Sequence, residues 1–391
     1  MPWRGMSVME QRREFVRLAL EEGTNRRELC RRFEISAETG YKWLRRFAAG
    51  DAELAERSRR PNASPNRSLA TMEAAAVAVR DAHPAWGARK IARKLAEQGH
   101  QAPAVSTVHA ILRRNGRIEP PAGSPGQPYQ RFEMEAPNRL WQMDFKGHMP
   151  LVDGASCHPL TMIDDHSRFA LCLAACADER GETVKAHLEA TFRHYGLPDA
   201  IFVDNGGPWG FTLEEPWTRL GVWLLKLGVR LIHSRPYHPQ SRGKNERFHR
   251  TLKAEVFALI RFRDLAAVQR ALDAWRDVYN LDRPHEAIDL LPPVSRYRPS
   301  PRAMPDRLPT VDYDEGEIVR TVSSTKAYVS FKGRLWKVPQ AFCGERLAIR
   351  PLNRDDKYGV FFAAHRVAIF DLTTSQAVNH VSEQVSAISP D

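Results

Sequence analysis

The chain has 391 residues, of which 42% are hydrophobic and 27% charged, with a formal net charge of +11. That length exceeds one ordinary domain and leads us to expect three or four. No apolar run reaches the roughly 18 residues of a membrane span, and the opening MPWRGMSVMEQRREF has no apolar signal core. The expected protein is therefore cytoplasmic, neither secreted nor membrane-spanning. Five scattered cysteines (Cys30, Cys157, Cys172, Cys176, Cys343) lack zinc-type spacing and read as buried thiols. Charge is segregated: residues 1–118 hold 23 Lys+Arg against 13 Asp+Glu, a balance of +10, so the remaining residues carry +1. A basic first third points to a polyanion-binding module on a near-neutral body.

The periodicity predicts amphipathic helices over 8–21, 25–33 and 37–48, the last two separated by Glu34-Ile35-Ser36 with Ser36 as N-cap. Leu29, Phe33, Ile35, Trp43, Leu44 and Phe47 form the inward set. Glu38, Tyr41, Lys42, Arg45 and Arg46 face outward, as in a helix-turn-helix whose second helix enters a major groove. A three-helix bundle with a solvated basic face is the competing reading. Gly40 sits inside the candidate recognition helix at a cost of about 1 kcal/mol relative to Ala. The connector 57–68 (RSRRPNASPNRS) is either an arm laid along phosphates through Arg59 and Arg60 or a plain linker. Helices over 69–82, 88–97 and 106–115, the last capped by Ser106, suggest a second helix-turn-helix at 69–118, with Arg113 and Arg114 as DNA contacts.

A Pro-rich spacer, 119–131, precedes a domain expected at 132–290. Its strand candidates are 139–146, 158–164, 168–175, 199–203 and 229–232, and its helices 181–195, 215–227, 243–259 and 264–280. A meander followed by alternating αβ elements suggests an α/β mixed sheet with helices on both faces. A second Pro-rich linker, 291–310, leads to short strands over 311–373 that fit a small β-barrel, and 374–391 reads as a polar tail.

Within the α/β domain three acids stand in particular contexts. Asp144 lies in a strand whose alternate residues Trp141, Met143 and Phe145 share the opposite face. Asp204 follows Ile201-Phe202-Val203 and precedes a sharp Asn205-Gly206-Gly207 turn. Glu246 opens a helix on which Arg250 and Lys253 fall on the same side. Taken singly, an Asp after a strand is a turn former and a Glu among cations is a solvated ion pair. Two strand-end carboxylates and one helical carboxylate, in this order, suit two magnesium ions clamping the attacking and leaving oxygens of a phosphoryl transfer. Asp164 and Asp165 compete as ligands; alternatively, Asp165 serves the turn through a hydrogen bond to Ser167.

The strings WQMDFKG, TMIDDHSRFAL, FVDNGGPW and SRPYHPQSRGKNERFHRTLK resemble the DDE catalytic core of bacterial insertion-sequence transposases and retroviral-type integrases. The resemblance implies a ribonuclease-H-like fold. It implies Asp144, Asp204 and Glu246 as ligands of two Mg2+ ions, with Mn2+ able to substitute, and Arg250 and Lys253 on DNA. It also implies cleavage and strand transfer at terminal inverted repeats and target DNA by a homodimer or higher oligomer at the nucleoid. The 41 residues between Asp204 and Glu246 exceed the family's usual spacing. The extra length is assigned to 208–223, where Trp209, Trp217 and Trp223 suggest a locally packed insertion. The zinc module of retroviral integrases is absent, which favours the transposase branch. A transposase-derived DNA-binding regulator without strand transfer, and a nuclease of the same fold, are the rival functions.

Overall fold

The computed structural model describes residues 7–56, 67–118, 133–210, 217–233, 243–353, 356–374 and 377–379. Its contacts separate two units, Met1–Arg67 and Ser68–Asp391. In the first unit, local caps start each helix. Ser7 and Glu10 form a capping box at α1 (Val8–Ala19), Asn25 caps α2 (Arg26–Arg32) and Ser36 accepts from the Thr39 amide at α3 (Ala37–Ala48). Phe15, Val16, Ala19, Leu29, Cys30, Trp43 and Leu54 form the core, with Phe33, Ile35 and Leu44 half-buried around it. Phe47, expected inside, is 41% exposed, whereas Leu54 from the segment after α3 is fully buried. Gly40 has a packing reason: a Cβ there would stand 2.5 Å from Cys30 Sγ and 2.8 Å from Phe15 Cζ.

The second unit begins with α4 (Ala70–Ala82), α5 (Ala88–Glu97) and α6 (Val105–Arg114), packed around Trp86, Ile91, Leu95, Val108, Ile111 and Leu112. Ser106 is not the cap: α6 starts at Val105 after Ala104, with no side-chain cap bond. This module shares its unit with the rest of the chain. Lys94 of α5 pairs with Asp282, and Val278 packs against the module's core.

The central sheet comprises β1 (Trp141–Phe145), β2 (Met149–Pro150), β3 (Ser156–Asp164), β4 (Ala170–Cys176), β5 (Ala200–Val203) and β6 (Arg230–His233). Its order is β4-β3-β1-β5-β6, with β2 also on β3; β4-β3-β1 are antiparallel and β1-β5-β6 parallel. Strand alternation sends Trp141 and Met143 into a core with α7 (Gly181–Tyr195) and α8 (Arg219–Lys226). A separate cluster beneath α9 (Gly243–Leu252) and α10 (Leu265–Asp277) contains Phe248, Leu252, Leu272, Trp275 and Tyr279. Both helices end in π-helical turns, Lys253–Phe257 and Val278–Asp282, where plain α-helix is predicted. The free edge of β4 is closed by amide side chains. Asn280 bonds both the N–H and C=O of Ala170, and Gln269 bonds Ala175 N–H and Leu173 C=O.

Segment 291–310 is packed rather than a bare spacer. Tyr297 stacks on Phe169 at 4.2 Å, and Arg302 donates to the carbonyls of Pro198, Leu227 and Gly228. The three tryptophans of 208–223 do not pack as one insertion. Trp209 and Trp223 join the central core, Trp217 meets Phe342 of the C-terminal module at 5.4 Å, and 211–216 lie outside the described residues.

That module holds β7 (Ile318–Thr321), β8 (Tyr328–Phe331), β9 (Arg334–Lys337), β10 (Arg346–Pro351), β11 (Lys357–Phe362), β12 (His365–Asp371) and β13 (Ala377–Asn379). The expected small β-barrel is corrected to an open antiparallel sheet, β13-β12-β11-β10-β7, plus a β8–β9 hairpin. The hairpin strands pair with each other and contribute Val329, Phe331 and Trp336 to the shared core, so burial is achieved without ladder closure. β13 also lies in the expected tail, of which 380–391 fall outside the described residues. All five cysteines are free, four of them buried and Cys343 half-buried.

Gly40→Ala is expected to destabilise the first unit by about 1–3 kcal/mol, since overpacking outweighs the gain of about 1 kcal/mol in helix propensity. Hydrogen exchange of the α3 amides in the full-length chain would measure it.

Candidate active site

Parallel pairing of β1 with β5 sets the site. Trp141 lies opposite Ile201 and Gln142 opposite Phe202; continuing that register brings Asp204 beside Asp144. Neighbouring strands run about 4.8 Å apart, so the two carboxylates emerge together at the strands' carboxyl ends, where α/β proteins commonly place their ligands. The Asp144 side chain is 23% exposed, its backbone carbonyl accepts from Thr161 Oγ1 at 3.0 Å, and its Oδ2 lies 4.0 Å from His249 Nδ1. Asp204 Oδ1 accepts from the Gly206 amide at 3.0 Å and from Trp209 Nε1 at 2.6 Å. A Cβ on Gly206 would stand 3.3 Å from both Asp204 oxygens, so this turn relies on the small residue the sequence placed there.

Glu246 is exposed in the first turn of α9, whose buried side is Asn245, Phe248 and Leu252. The structure brings Asp144 and Asp204 to adjacent strand ends, but it does not gather Glu246 with them. Among the described residues, no three His, Cys, Asp or Glu side chains converge as a metal-binding group. His249 ties α9 to the sheet: its Nε2 lies 2.8 Å from Thr161 Oγ1 on β3, whose hydroxyl donates to the Asp144 carbonyl on β1. A hard-oxygen pair at the mouth of the sheet fits a divalent cation by donor chemistry and register.

Burial pushes both histidines beside the site down to about 4; for His249 the nearby Lys146 adds to the effect. His233 Nδ1 donates to the Asp204 carbonyl at 3.0 Å. Lys146, two residues after Asp144, has no place among the site residues expected from sequence. Burial, and then Lys253, lowers its pKa, so cations from β1's end and from α9 stand near each other.

Asp164 and Asp165 are fully buried and hydrogen-bonded within the protein. Asp164, not Asp165, serves the turn: it accepts from the Ser167 amide and hydroxyl and from the Asn138 amide. Asp165 accepts from the Met134 amide, Gln142 Nε2 and Lys244.

Among the expected DNA contacts, Tyr41, Lys42, Arg45, Arg113, Arg114, Arg250 and Lys253 are exposed. Arg46 is instead held within its own unit. It pairs with Asp51, donates to the Ala55 carbonyl at 2.7 Å and lies 4.7 Å over the Trp43 ring. Arg114 ties α6 to α4 through Glu73 at 2.6 Å. Arg59 and Arg60 lie outside the described residues.

Residues 134–239 and 227–293 each match an integrase core domain, and residues 317–378 match the IS481 family transposase C-terminal domain. Residues 11–62 match a helix-turn-helix domain and 39–112 a homeodomain-like domain. The insertion element IS407 uncharacterized 31.7 kDa protein of Burkholderia multivorans is 30% identical over 171 residues, spanning 44% of this chain and 59% of that protein. The insertion element IS476 uncharacterized 39.2 kDa protein of Xanthomonas euvesicatoria is 26% identical over 169 residues, spanning 43% and 47%. The matched region thus covers less than two thirds of either relative. Among solved structures, the HTLV-2 integrase catalytic core in complex with magnesium (trimeric form) is 16% identical with a TM-score of 0.32, covering 42% of this chain and 99% of that one. The simian T-cell lymphotropic virus intasome in complex with PP2A regulatory subunit B56 gamma is 16% identical with a TM-score of 0.36, covering 74% and 96%. No helix among the described residues is long and apolar enough to cross a membrane.

Burial lowers His233 and His249 to about 4 and His285 to about 3. All three are neutral in the folded chain at pH 6, whereas an unfolded histidine takes a proton below about 6.5. Stability is therefore retained above that value and lost as pH falls from about 6.5 towards 4, by up to about 1.4 kcal/mol per pH unit for each histidine. Urea unfolding at pH 7, 6 and 5 is expected to show the decline, and His233→Gln to make it shallower.

Proposed function

We propose that this chain, a bacterial insertion-sequence transposase of the DDE superfamily by its family matches, binds the ends of its element and cuts and joins DNA with Asp144, Asp204 and Glu246. The observation that carries the reading is the β1–β5 register, which sets Asp144 and Asp204 side by side at the carboxyl ends of parallel strands. The α9 helix, packed against β1, supplies Glu246 as the third carboxylate. Two Mg2+ ions held by these residues, or Mn2+ in their place, would lower the pKa of the attacking water and offset charge on the phosphate. Asp144, Asp204 and Glu246 are the residues that would hold the ions.

The chain's own groups do the rest. Arg250 and Lys253, exposed beyond Glu246, hold the phosphate backbone beside the carboxylates. Neutral His249, through Thr161, and neutral His233, through the Asp204 carbonyl, steady the two strand ends without adding positive charge where cations must bind. Neither cutting nor joining requires a covalent enzyme intermediate, so no Ser, Tyr or Cys nucleophile is invoked. Tyr41, Lys42 and Arg45 on α3 and Arg113 on α6 read or grip the terminal inverted repeats, while Arg46 and Arg114 support those helices. Joining two ends to a target requires at least a dimer on DNA, acting in the cytoplasm at the nucleoid.

Asp204→Asn is expected to lower joining of end DNA in magnesium by more than about a hundredfold, beyond the loss typical for a mere partner of a metal ligand. Full joining by that variant would rule out Asp204 as one of the carboxylates, whereas end binding with no joining by the unaltered chain would leave a DNA-binding regulator as the better reading. Lys42→Ala with Arg45→Ala is expected to weaken end binding and to reduce its salt slope by about one for each phosphate that is no longer gripped. Fluorescence anisotropy across a salt series measures both.

A further inference from the structure

We propose that Asp165 and Lys244 are positioning residues: through them one buried carboxylate joins the strand that carries Asp144 to the helix that carries Glu246. The proposal rests on the carboxylate reading above and deepens it. Asp165 follows β3 directly and is fully buried. Its Oδ1 accepts from Gln142 Nε2 at 2.6 Å and from Lys244 Nζ, and its Oδ2 from the Met134 amide at 2.8 Å. Gln142 stands two residues before Asp144 on β1, hence on the same face of the sheet. Lys244 stands two residues before Glu246 on α9. Among the described residues, Gln142 Oε1 is buried with no hydrogen-bond partner, so the amide is oriented by its N–H side, that is, by Asp165.

The helical wheel shows what this anchor does. At roughly 100° per residue, Lys244, Phe248, Leu252, Asn245 and His249 follow one another around the inward side of α9, with Lys244 at one border and His249 at the other. Glu246 and Lys253 come next, within about 60° of His249 and therefore on the side that contacts Thr161 and Asp144. With Lys244 on Asp165 and His249 on Thr161, both borders are held and the helix cannot roll. Releasing Lys244 leaves only the His249 border and lets Glu246 swing relative to Asp144. A buried ion pair adds little to stability compared with an apolar pair, but it does specify one arrangement, and here that arrangement is the orientation of a candidate ligand.

The test is Mn2+ binding to the full-length chain, followed by the electron paramagnetic resonance signal of the free ion, with thermal melting recorded alongside. Glu246→Gln and Asp204→Asn mark which part of the binding isotherm depends on each carboxylate. Lys244→Gln and Asp165→Asn are expected to weaken the Glu246-dependent part by about 10–100-fold, as loss of a ligand's supporting partner does, and to leave the Asp204-dependent part unchanged. Lys244→Arg, which keeps the charge and the donors, is expected to restore wild-type binding. If Asp165→Asn does not fold, the double variant Asp165→Asn/Lys244→Gln, which leaves no unpaired buried charge, decides. Wild-type Mn2+ binding by the Lys244 and Asp165 variants, with Glu246→Gln impaired, overturns the proposal and spares the carboxylate reading. Equal loss in both parts of the isotherm also overturns it, in favour of a purely structural ion pair. If Glu246→Gln and Asp204→Asn themselves bind Mn2+ normally, the carboxylate reading fails and this proposal falls with it.

Discussion

Strand β1 lies between an antiparallel neighbour, β3, and a parallel one, β5, and nearly everything at the candidate site follows from that position. Its alternation commits Trp141 and Met143 to the core shared with α7 and α8, which leaves Gln142 and Asp144 for the opposite face. A slip of one residue would put a carboxylate into that apolar core and two large side chains against α9, so the register is strongly specified. Once it is set, Asp204 is placed by β5, and Thr161 by β3 through the hydrogen bond to the Asp144 carbonyl. The chemistry therefore inherits its geometry from hydrophobic packing on the other side of the sheet.

Around this strand the charges sort into two kinds. Some are inside and fully engaged: Asp164 and Asp165 accept several hydrogen bonds each, and Arg168 joins Glu133, which also holds Arg296. Others stand at the rim and are exposed, among them Glu246, Arg250 and Lys253. Burying a carboxylate is costly unless donors surround it, and in Asp165 those donors come from separate parts of the chain. The neutral histidines complete this division, bringing polar contact to the site without adding another cation.

Local signals in the sequence carry well where structure is local. Helices α3, α5 and α7 run over the residues their periodicity predicts, because a cap such as Ser36 or a positive-φ glycine such as Gly196 marks the boundary. The order of strands and helices in the ribonuclease-H-like core is legible for the same reason, as are Asp144 and Asp204 as strand-end acids. What escapes a reading of the sequence depends on partners distant along the chain. Nothing near Lys244 announces Asp165, nothing near Trp217 announces Phe342, and nothing near Arg302 announces the carbonyls it holds. The carboxylate partners of Arg46 and Arg114 escape notice because an outward arginine looks the same on a wheel whether it meets a phosphate or a carboxylate of its own chain. The open C-terminal sheet passes for a barrel because alternation reports which face is buried, not whether the edges meet.

The amides of Gln269 and Asn280 give the outer edge of β4 the hydrogen bonds that a further strand would otherwise make. An unpaired edge is a template for strand addition and for fibre growth. Here α10 and its terminal turn remove that hazard with side chains alone. The sheet therefore ends at β4 as a finished border rather than as a template for a further strand.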